Sequence, residues 1–242
     1  MTTPPQSREN AVAVITGGTG GLGREVARRL AATGHRLAIT YLIPDEADAI
    51  EEMLELPEDR LLLTRVDCTD GDAVGEFVES VEETFGGINA LIALVGGWAG
   101  GSDVEDTDDV RFERMIDINL RTSFNAARAT LPVLRRAEWG RIVMVGSRAA
   151  LDPPGGQAMY NVAKAGVIAL ARTIAEEVND SNITANVVLP ALIDTPAFRK
   201  LVPFANYVDW PTPNEIAAVI EFLASPEASV VSGAMVPVYG KS

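Results

Sequence analysis

Tyr160 and Lys164 stand four residues apart in a segment rich in Ala, Val, Ile and Leu. On a helix, this spacing places both side chains on one face. A phenol with a pKa of about 10 is a poor acid–base group at neutral pH, but a neighbouring ammonium favours the phenolate and lowers that pKa. Such a pair could exchange a proton with a bound molecule, although a tyrosine and a lysine considered alone are more often two surface side chains.

Two polar side chains earlier in the chain could complete this site. Ser147 lies 13 residues before Tyr160, where we expect a strand to end, and its hydroxyl could hydrogen-bond the carbonyl oxygen of a substrate. Asn119 is expected on the long helix that precedes that strand. The candidate catalytic residues are therefore Asn119, Ser147, Tyr160 and Lys164.

A glycine-rich turn follows the first apolar run of the chain, and it reads Thr16-Gly17-Gly18-Thr19-Gly20-Gly21-Leu22-Gly23. Glycines allow the backbone to turn tightly and approach a pyrophosphate, and the next helix points its free N–H groups and its positive partial charge at the anion. A lone glycine-rich motif is weak, but this one has the strand before it and the helix after it that the motif requires. The turn therefore predicts a nucleotide-binding site rather than a plain connection.

The sequence alternates short, wholly apolar runs with segments whose apolar residues recur at helical spacing. Such runs are typical of strands buried on both faces, and their alternation with helices implies right-handed parallel crossovers. We therefore predict an α/β fold, a doubly wound sheet of about seven parallel strands with helices on both faces. The predicted strands are 11–15, 36–41, 61–66, 90–95, 141–145, 183–189 and 235–238, and the predicted helices are 22–33, 45–54, 73–85, 110–136, 157–179 and 213–224.

Three irregular stretches, 96–109, 148–156 and 196–212, follow predicted strands. In doubly wound folds the carboxyl ends of the strands carry the ligand, so we expect these stretches to border the site. The last one is predicted to be a short substrate loop. Residues 1–10 are predicted to be a flexible N-terminus of a single domain spanning 1–242, and Pro132 predicts a kink in the helix over 110–136.

The charge balance and the rare residues exclude several classes of function. The 242 residues include 20 Lys and Arg against 34 Asp and Glu, a net charge of −14, which disfavours binding to nucleic acids and to anionic membranes. A single cysteine and a single histidine, His35 in what reads as a polar turn, exclude an intrachain disulfide and argue against a metal site or a Ser-His-Asp triad. The longest uncharged stretch, 88–102, is too short to span a bilayer, and the first ten residues do not read as a signal peptide, so we expect a cytoplasmic protein.

The glycine turn matches Thr-Gly-x-x-x-Gly-x-Gly through Gly17, Gly21 and Gly23, and Tyr160 and Lys164 form Tyr-x-x-x-Lys. These motifs resemble those of the short-chain dehydrogenase/reductase family, and the resemblance covers nearly the whole chain. It implies a Rossmann fold and hydride transfer between a nicotinamide dinucleotide and a ketone or secondary alcohol, as in 3-oxoacyl-[acyl-carrier-protein] reductases.

The resemblance also implies a role for each candidate catalytic residue. Tyr160 would be the general acid/base, and Lys164 would lower its pKa and hold the nicotinamide ribose. Ser147 would position the substrate oxygen, and Asn119 would hold a water of the proton relay. No role for a metal follows from the resemblance.

Further segments resemble the family's dinucleotide-binding residues. Asp67 matches the aspartate that accepts a hydrogen bond from the adenine amino group, and the segment 190–195 matches the one that contacts the carboxamide and the phosphates. The residues expected to bind the dinucleotide are Gly17, Thr19, Gly20, Gly21, Leu22, Gly23, Tyr41, Asp67, Cys68, Val95, Gly96, Tyr160, Lys164, Pro190, Ile193 and Thr195.

The chain departs from the family's pattern in ways that bear on the dinucleotide. The family's Asn-Asn-Ala-Gly segment is Ala93-Leu94-Val95-Gly96, and its Pro-Gly is Pro190-Ala191. The second strand ends in Tyr41 rather than the acidic residue typical of NAD enzymes, while Leu42 and Gly20 stand where NADP enzymes often carry Arg or Lys. Because no carboxylate at this strand end would repel a 2′-phosphate, we predict NADP(H) over NAD(H).

The substrate is left open, and a 3-oxoacyl thioester is one candidate. An alternative function is a non-catalytic, dinucleotide-binding redox sensor, which the altered segment favours and the four candidate catalytic residues disfavour. A sugar-nucleotide epimerase or dehydratase needs a larger C-terminal domain than the about 80 residues after Lys164 allow. Relatives are commonly tetramers, so we expect a homo-oligomer, a tetramer or a dimer. The side chains that could line an apolar pocket, or pack on their own domain, are Trp98, Leu151, Pro153, Met159, Phe198 and Phe204.

Overall fold

Seven strands form one parallel sheet in the part of the chain that the computed structural model describes, residues 8–201 and 207–241. The strands are β1 (Val12–Thr16), β2 (Arg36–Tyr41), β3 (Leu61–Arg65), β4 (Ala90–Ala93), β5 (Gly140–Val145), β6 (Ile183–Pro190) and β7 (Met235–Val238). Their order across the sheet is β3-β2-β1-β4-β5-β6-β7, and all neighbouring strands are parallel. The prediction of a doubly wound sheet with about seven parallel strands is confirmed.

The described residues also form eight α-helices, which cover both faces of the sheet. They are α1 (Gly21–Ala32), α2 (Pro44–Leu54), α3 (Gly71–Phe85), α4 (Asp109–Ile116), α5 (Thr122–Leu134), α6 (Ala158–Glu177), α7 (Pro196–Leu201) and α8 (Pro213–Leu223). Helices α1, α2 and α8 contribute to one apolar core, and α3, α5 and α6 contribute to the other. None of the helices in the described part combines the length and the apolar content that crossing a bilayer requires.

Strand β1 shows how the sequence builds both cores. Val12 and Val14 belong to the core with α3, α5 and α6, whereas Ala13 and Ile15 belong to the core with α1, α2 and α8. Because successive side chains of a strand point to opposite faces, a strand covered on both sides needs an uninterrupted apolar run. The order of the sheet reverses direction between β1 and β4, and ligands bind in the crevice at the carboxyl ends of strands at such a point.

The predicted helix over 110–136 is divided in the structure. A π-helical turn over Asp117–Arg121 separates α4 from α5. The change in helical hydrogen bonding therefore lies at this turn, while Pro132 stands near the end of α5. Turns of this type carry an extra residue relative to an α-helix and are frequent at functional sites.

The third irregular stretch, 196–212, contains more regular structure than predicted. It includes α7 and a 3₁₀ turn at Tyr207–Asp209. Residues 202–206, with the pocket candidate Phe204, lie outside the described residues, as do residues 1–7 of the predicted flexible N-terminus.

The prediction that His35 lies in a polar turn is wrong, because its side chain is only 1% exposed. Its Nδ1 lies 2.9 Å from the Thr33 hydroxyl, and Arg60 donates a hydrogen bond to its carbonyl oxygen at 2.9 Å. Burial lowers the pKa of His35 to about 4. His35 belongs to the packed connection between α1 and β2, next to the amino end of β2 and away from the strand ends that border the cleft.

Candidate active site

A cavity of about 700 Å³ opens at the carboxyl ends of the strands and extends from the glycine turn to the start of α6. All four candidate catalytic residues line it: Asn119, Ser147, Tyr160 and Lys164. It is also lined by most of the residues that were expected to bind the dinucleotide, namely Gly17, Gly20, Gly21, Leu22, Gly23, Gly96, Pro190, Ile193 and Thr195. The structure therefore brings the two predicted sets into one cleft.

The glycine turn is shaped by contacts that leave no room for side chains. Gly17 has a φ of +71°, in the left-handed region that favours glycine, and its N–H donates to the Thr40 hydroxyl at 3.2 Å. A Cβ on Gly23 would collide with the carbonyl oxygen of Gly17. The first turn of α1 carries no acidic residue, so its N-terminus presents positive partial charge to the cavity.

Lys164 on α6 points its amine at the end of β5. Its side chain is 6% exposed, and Nζ donates a hydrogen bond to the Val145 carbonyl at 2.9 Å. A Cβ on Gly96 would lie 3.1 Å from Nζ, so the glycine leaves room for the amine. Burial lowers the pKa of Lys164 to about 8.

Tyr160 lies one helical turn before Lys164 on the same face of α6. Burial raises the pKa of its phenol, and the smaller, opposing effect is a hydrogen bond with the Ser147 hydroxyl, which lowers it. The sequence-based expectation was that the Lys164 ammonium lowers this pKa. In the structure, burial outweighs the effects that favour the phenolate.

Asn119 lies in the π-helical turn and is fully buried. Its Oδ1 accepts from the Gly97 N–H at 3.1 Å, and its Nδ2 donates to the carbonyls of Gly97 and Met115 at 2.9 and 3.1 Å. The amide therefore fixes the backbone after β4 against the helix. Its backbone carbonyl accepts a hydrogen bond from the Ser123 hydroxyl at 3.2 Å.

Comparisons with known proteins agree with this geometry. The family model described as short chain dehydrogenase matches residues 11–205. The chain belongs to the short-chain dehydrogenase family. The 3-oxoacyl-[acyl-carrier-protein] reductase MabA of Mycobacterium tuberculosis (strain H37Rv) is 36% identical over 235 residues, which cover 94% of this chain and 90% of that protein.

Two further relatives show how the family spans different reactions. The 3-oxoacyl-[acyl-carrier-protein] reductase FabG of Escherichia coli (strain K12) is 30% identical over 243 residues, covering 96% of this chain and 97% of that protein. A crystal structure of levodione reductase superposes with a TM-score of 0.87 at 30% identity, covering 96% of this chain and 97% of that one. The protein is accordingly an NAD(P)-dependent oxidoreductase of the short-chain dehydrogenase family.

The residues of the cleft fit a nicotinamide dinucleotide. The glycine turn has room for a pyrophosphate only because its glycines lack side chains, and the N-terminus of α1 faces that space. Thr195 lies over the turn, since a Cβ on Gly21 would be 3.2 Å from its methyl group. Within the described residues, no three His, Cys, Asp or Glu side chains gather closely enough to hold a metal ion.

Part of the predicted dinucleotide site lies beyond the lining of this cavity. Five residues that were expected to bind the dinucleotide are found there: Thr19, Tyr41, Asp67, Cys68 and Val95. The Thr19 hydroxyl donates to the Glu46 carboxylate at 2.9 Å, and its carbonyl accepts from Arg24 Nε at 2.8 Å. Asp67 is exposed and accepts from the N–H and hydroxyl of Thr69, whereas the Cys68 thiol is buried.

The first residue of the segment that departs from the family's Asn-Asn-Ala-Gly pairs with the residue that opens the glycine turn. Ala93 is the β4 partner of Thr16 in the β1–β4 register. The Thr16 hydroxyl is buried and has no hydrogen-bond partner among the described residues. A buried hydroxyl without a partner costs about 1–3 kcal/mol, which is a cost in stability at the start of the glycine turn.

Sequence reasoning missed three residues that position the site. Asn125 on α5 donates to the carbonyls of Cys68 and Thr69, both at 3.1 Å, and so holds the turn after β3. Gln157 accepts from the Trp98 indole N–H, and Glu46 reaches the glycine turn from α2. The one available signal was a polar Asn125 next to two alanines in an otherwise buried helix.

Proposed function

We propose that the protein interconverts a ketone and a secondary alcohol with Tyr160 as the general acid/base. The observation that carries this proposal is that Ser147, Tyr160 and Lys164 line one end of a cleft whose other end is the glycine turn. A redox sensor that only binds a dinucleotide has no need of two hydroxyls beside a buried amine. An oxidoreductase needs both ends of the cleft.

In the reducing direction, the Ser147 hydroxyl donates a hydrogen bond to the carbonyl oxygen and holds it beside the phenol. Tyr160 gives its proton to that oxygen, which becomes a hydroxyl, and the tyrosine is left as phenolate. In the oxidising direction, the phenolate removes the proton from the alcohol. The bound nicotinamide dinucleotide would supply a hydride to the carbonyl carbon in the reducing direction and accept it from that carbon in the oxidising direction.

Lys164 and Asn119 are proposed to support this proton transfer. The Lys164 ammonium would stabilise the phenolate by its charge, acting against the burial that raises the pKa of Tyr160. The Asn119 amide is engaged with Gly97 and Met115, and its backbone carbonyl, which accepts from the Ser123 hydroxyl, has a second lone pair that would hold a water. That water would return a proton from solvent to the tyrosine.

The dinucleotide is proposed to lie across the cleft with its pyrophosphate at the glycine turn and the N-terminus of α1. Lys164 would hold the nicotinamide ribose, and Ile193 and Thr195 would contact the carboxamide and the phosphates. Asp67 would accept from the adenine amino group.

We propose NADP(H) as the preferred dinucleotide. Tyr41 at the end of β2 and Leu42 after it provide no carboxylate to repel a 2′-phosphate, and the guanidinium of Arg24 lies beside Thr19. Glu46 opposes this preference, because its carboxylate reaches the same turn. Kd values for NADPH and NADH, measured by fluorescence titration, test the preference; tighter binding of NADH would overturn it.

The substrate class to assay first is a 3-oxoacyl thioester, since that substrate appears in the names of two relatives. The assay follows the absorbance of NADPH with 3-oxoacyl thioesters, simple ketones and secondary alcohols. Turnover of any of these by the protein, and its loss on substitution of Tyr160, is the expected result. Binding of the dinucleotide with no turnover across the whole panel would contradict the proposal and favour the redox sensor.

Three further points are proposals that the family supports. The chain forms one NAD(P)-binding domain over 1–242, in which 196–212 contribute to the substrate site. The protein is a homo-oligomer, a dimer or a tetramer, which light scattering would measure. It acts in the cytoplasm on small molecules, without nucleic-acid or membrane partners.

A further inference from the structure

Two aromatic side chains from opposite walls meet over the cleft. Trp98 belongs to the segment after β4, and Phe198 belongs to α7, after β6. Their ring centroids are 6.4 Å apart, and the ring planes cross at 75° in an edge-to-face contact. Both side chains line the cavity that contains Ser147 and Tyr160. The contact therefore forms a wall near the position where a substrate carbonyl would lie.

The indole of Trp98 is held in place by its neighbours. Its Nε1 donates to Gln157 Oε1 at 2.7 Å, and the Gln157 amide donates in turn to Asn161 at 2.9 Å. A Cβ on Gly100 would lie 2.6 Å from the indole, so the ring rests directly on this glycine. A side chain fixed in this way keeps its ring oriented without a ligand.

Phe198 is supported from the other side. Its ring packs edge to face against Trp210 at a centroid distance of 5.6 Å, and Trp210 packs in the same manner against Tyr207 at 5.1 Å. Phe198 also has its backbone N–H bonded to the Thr195 hydroxyl at 3.1 Å. The wall is thus backed by a row of aromatic rings.

The wall offers apolar surface that remains open. Trp98 is 48% exposed and Leu192, which also lines the cavity, is 38% exposed. Large apolar side chains exposed in a concave site bury their surface when a ligand binds. The charged pair in the lining, Arg148 and Asp152, is separated by 3.4 Å, so the two charges partly neutralise each other.

We propose that Trp98 and Phe198 make the enzyme prefer ketones that carry a flat apolar ring on the carbonyl carbon. This inference rests on the proposed function, because it names the substrate class of the same site. Aromatic rings attract one another in edge-to-face and offset-stacked arrangements, and this adds to the burial of apolar area. An aryl group on the carbonyl carbon would lie against the wall while its carbonyl oxygen reaches Ser147 and Tyr160.

The test compares two ketones that differ only in this group, ethyl benzoylacetate with a phenyl ring and ethyl acetoacetate with a methyl group. The ratio of their kcat/KM values is measured for the wild type and for Trp98→Ala. We expect the variant to lower the phenyl-to-methyl ratio about tenfold. Differences in intrinsic reactivity cancel, since both proteins receive the same substrates.

Three variants separate a specific contact from general damage. Trp98→Phe keeps an aromatic ring and is expected to retain the ratio within about threefold. Phe198→Leu is expected to lower the ratio in the same direction as Trp98→Ala. Phe222→Ala removes an exposed aromatic ring of α8 that is outside the cavity lining, and it is expected to leave the ratio unchanged.

A measurement of ketone binding without turnover tests this inference separately from the proposed function. Calorimetry measures the Kd of both ketones for the Tyr160→Phe variant with NADPH, and we expect the phenyl compound to bind more tightly. Equal effects of Trp98→Ala on both ketones would overturn the inference and leave the proposed function standing. Preferential binding of the phenyl compound with no turnover by the wild type would instead contradict the proposed function.

Discussion

The Lys164 ammonium donates a hydrogen bond to the backbone carbonyl of Val145 at 2.9 Å. Val145 is the last residue of β5, two positions before Ser147, and Lys164 lies one helical turn after Tyr160. This single bond therefore joins the helix that carries the phenol to the end of the strand that the serine follows. Its donor is almost completely buried, so the site has a charge where the surrounding protein disfavours one.

The burial of Lys164 predicts a pH dependence of stability. Its pKa is about 8 in the folded protein, against 10.5 for an unperturbed lysine side chain, so between these values the unfolded chain binds more protons. Stability then rises with pH, and we expect the free energy of unfolding of the wild type, relative to Lys164→Met, to increase by about 3 kcal/mol over that interval. Urea unfolding of both proteins at several pH values measures this; a difference that stays flat or falls would contradict it.

Replacement of Tyr160 by phenylalanine removes the proton donor and keeps the ring. We expect kcat to fall by at least about a hundredfold, because a positioned acid/base contributes about 10²–10⁴ to rate. The Kd for the dinucleotide should stay within about threefold, since the glycine turn is untouched. Steady-state kinetics and fluorescence titration measure the two quantities.

Tyr239→Phe is the matched control, because its hydroxyl lies outside the lining of the cavity. That variant should keep the kcat of the wild type. Retention of most activity by Tyr160→Phe would remove Tyr160 from the mechanism.

Gly23 and Gly75 allow the same substitution to be compared at two sites. A Cβ on Gly23 would collide with the Gly17 carbonyl, whereas a Cβ on Gly75, in the middle of α3, meets nothing within 4 Å. We expect Gly23→Ala to weaken dinucleotide binding by at least about tenfold, because α1 must move away from the turn. Gly75→Ala should keep the Kd and raise stability by about 0.5–1 kcal/mol, as alanine favours a helix.

Titration of the dinucleotide and urea unfolding check both variants. Unchanged binding by Gly23→Ala would show that the turn tolerates a side chain, and the proposed position of the pyrophosphate would be wrong.

Glu46 is the residue whose charge we expect to influence the preference between NADPH and NADH. Its carboxylate accepts from the Thr19 hydroxyl at 2.9 Å, so its negative charge lies against the glycine turn, beside the proposed dinucleotide site. Glu46→Gln keeps the size and a hydrogen-bonding oxygen but removes the charge. We expect the ratio of Kd for NADH to Kd for NADPH to rise about three- to tenfold. The variant removes the repulsion between the Glu46 carboxylate and the extra phosphate of NADPH, which is weakened by partly exposed surroundings.

The increase should shrink at high salt, which screens the repulsion. Glu51→Gln, an exposed substitution later in α2, serves as the control with the same charge change. An equal shift in both variants would point to the overall charge of the protein rather than to this contact.

The sheet, and the meeting of the four candidate catalytic residues in one cleft, were predictable because both follow from local sequence patterns. Apolar runs such as 12–15 show strands covered on two faces, and the i, i+4 spacing of Tyr160 and Lys164 already places them on one side of α6. The alternation of elements then brings strand ends to one edge. Ser147 lies in the cleft because it follows β5, one of the strands that end at this edge.

Features that depend on contacts between distant segments were not predictable. The π-helical turn at 117–121 leaves the apolar pattern of the helix almost unchanged, so a single sequence does not reveal it. The burial of His35 belongs to a packed connection whose backbone accepts a hydrogen bond from Arg60, 25 residues away. The wall formed by Trp98 and Phe198 depends on how two irregular segments fold toward each other, and their composition alone left it open whether they line a pocket.

Arg141 is predicted to stabilise the fold from the opposite edge of the sheet. It is 1% exposed, and its guanidinium donates to the carbonyls of Gly140, Asn182, Ser225 and Pro226 at 2.7 to 3.2 Å. The ring of Trp139 lies 5.2 Å from the guanidinium carbon. Burial lowers the pKa of this group to about 10, yet the four carbonyls keep it satisfied as a donor.

Arg141→Leu would remove a buried donor from all four carbonyls, although those of Asn182, Ser225 and Pro226 keep a backbone N–H donor, and we expect a loss of about 3 kcal/mol in the free energy of unfolding. Arg141→Lys restores a charge but has no planar fork to reach all four acceptors, so it should lose about 2 kcal/mol. Because Arg141 lies at the start of β5 and Ser147 follows its end, the folded fraction of both variants should keep the kcat and the dinucleotide Kd of the wild type. Urea unfolding and active-site titration separate the two effects, and a loss of kcat without a loss of stability would mean that this arginine acts on the site rather than on the fold.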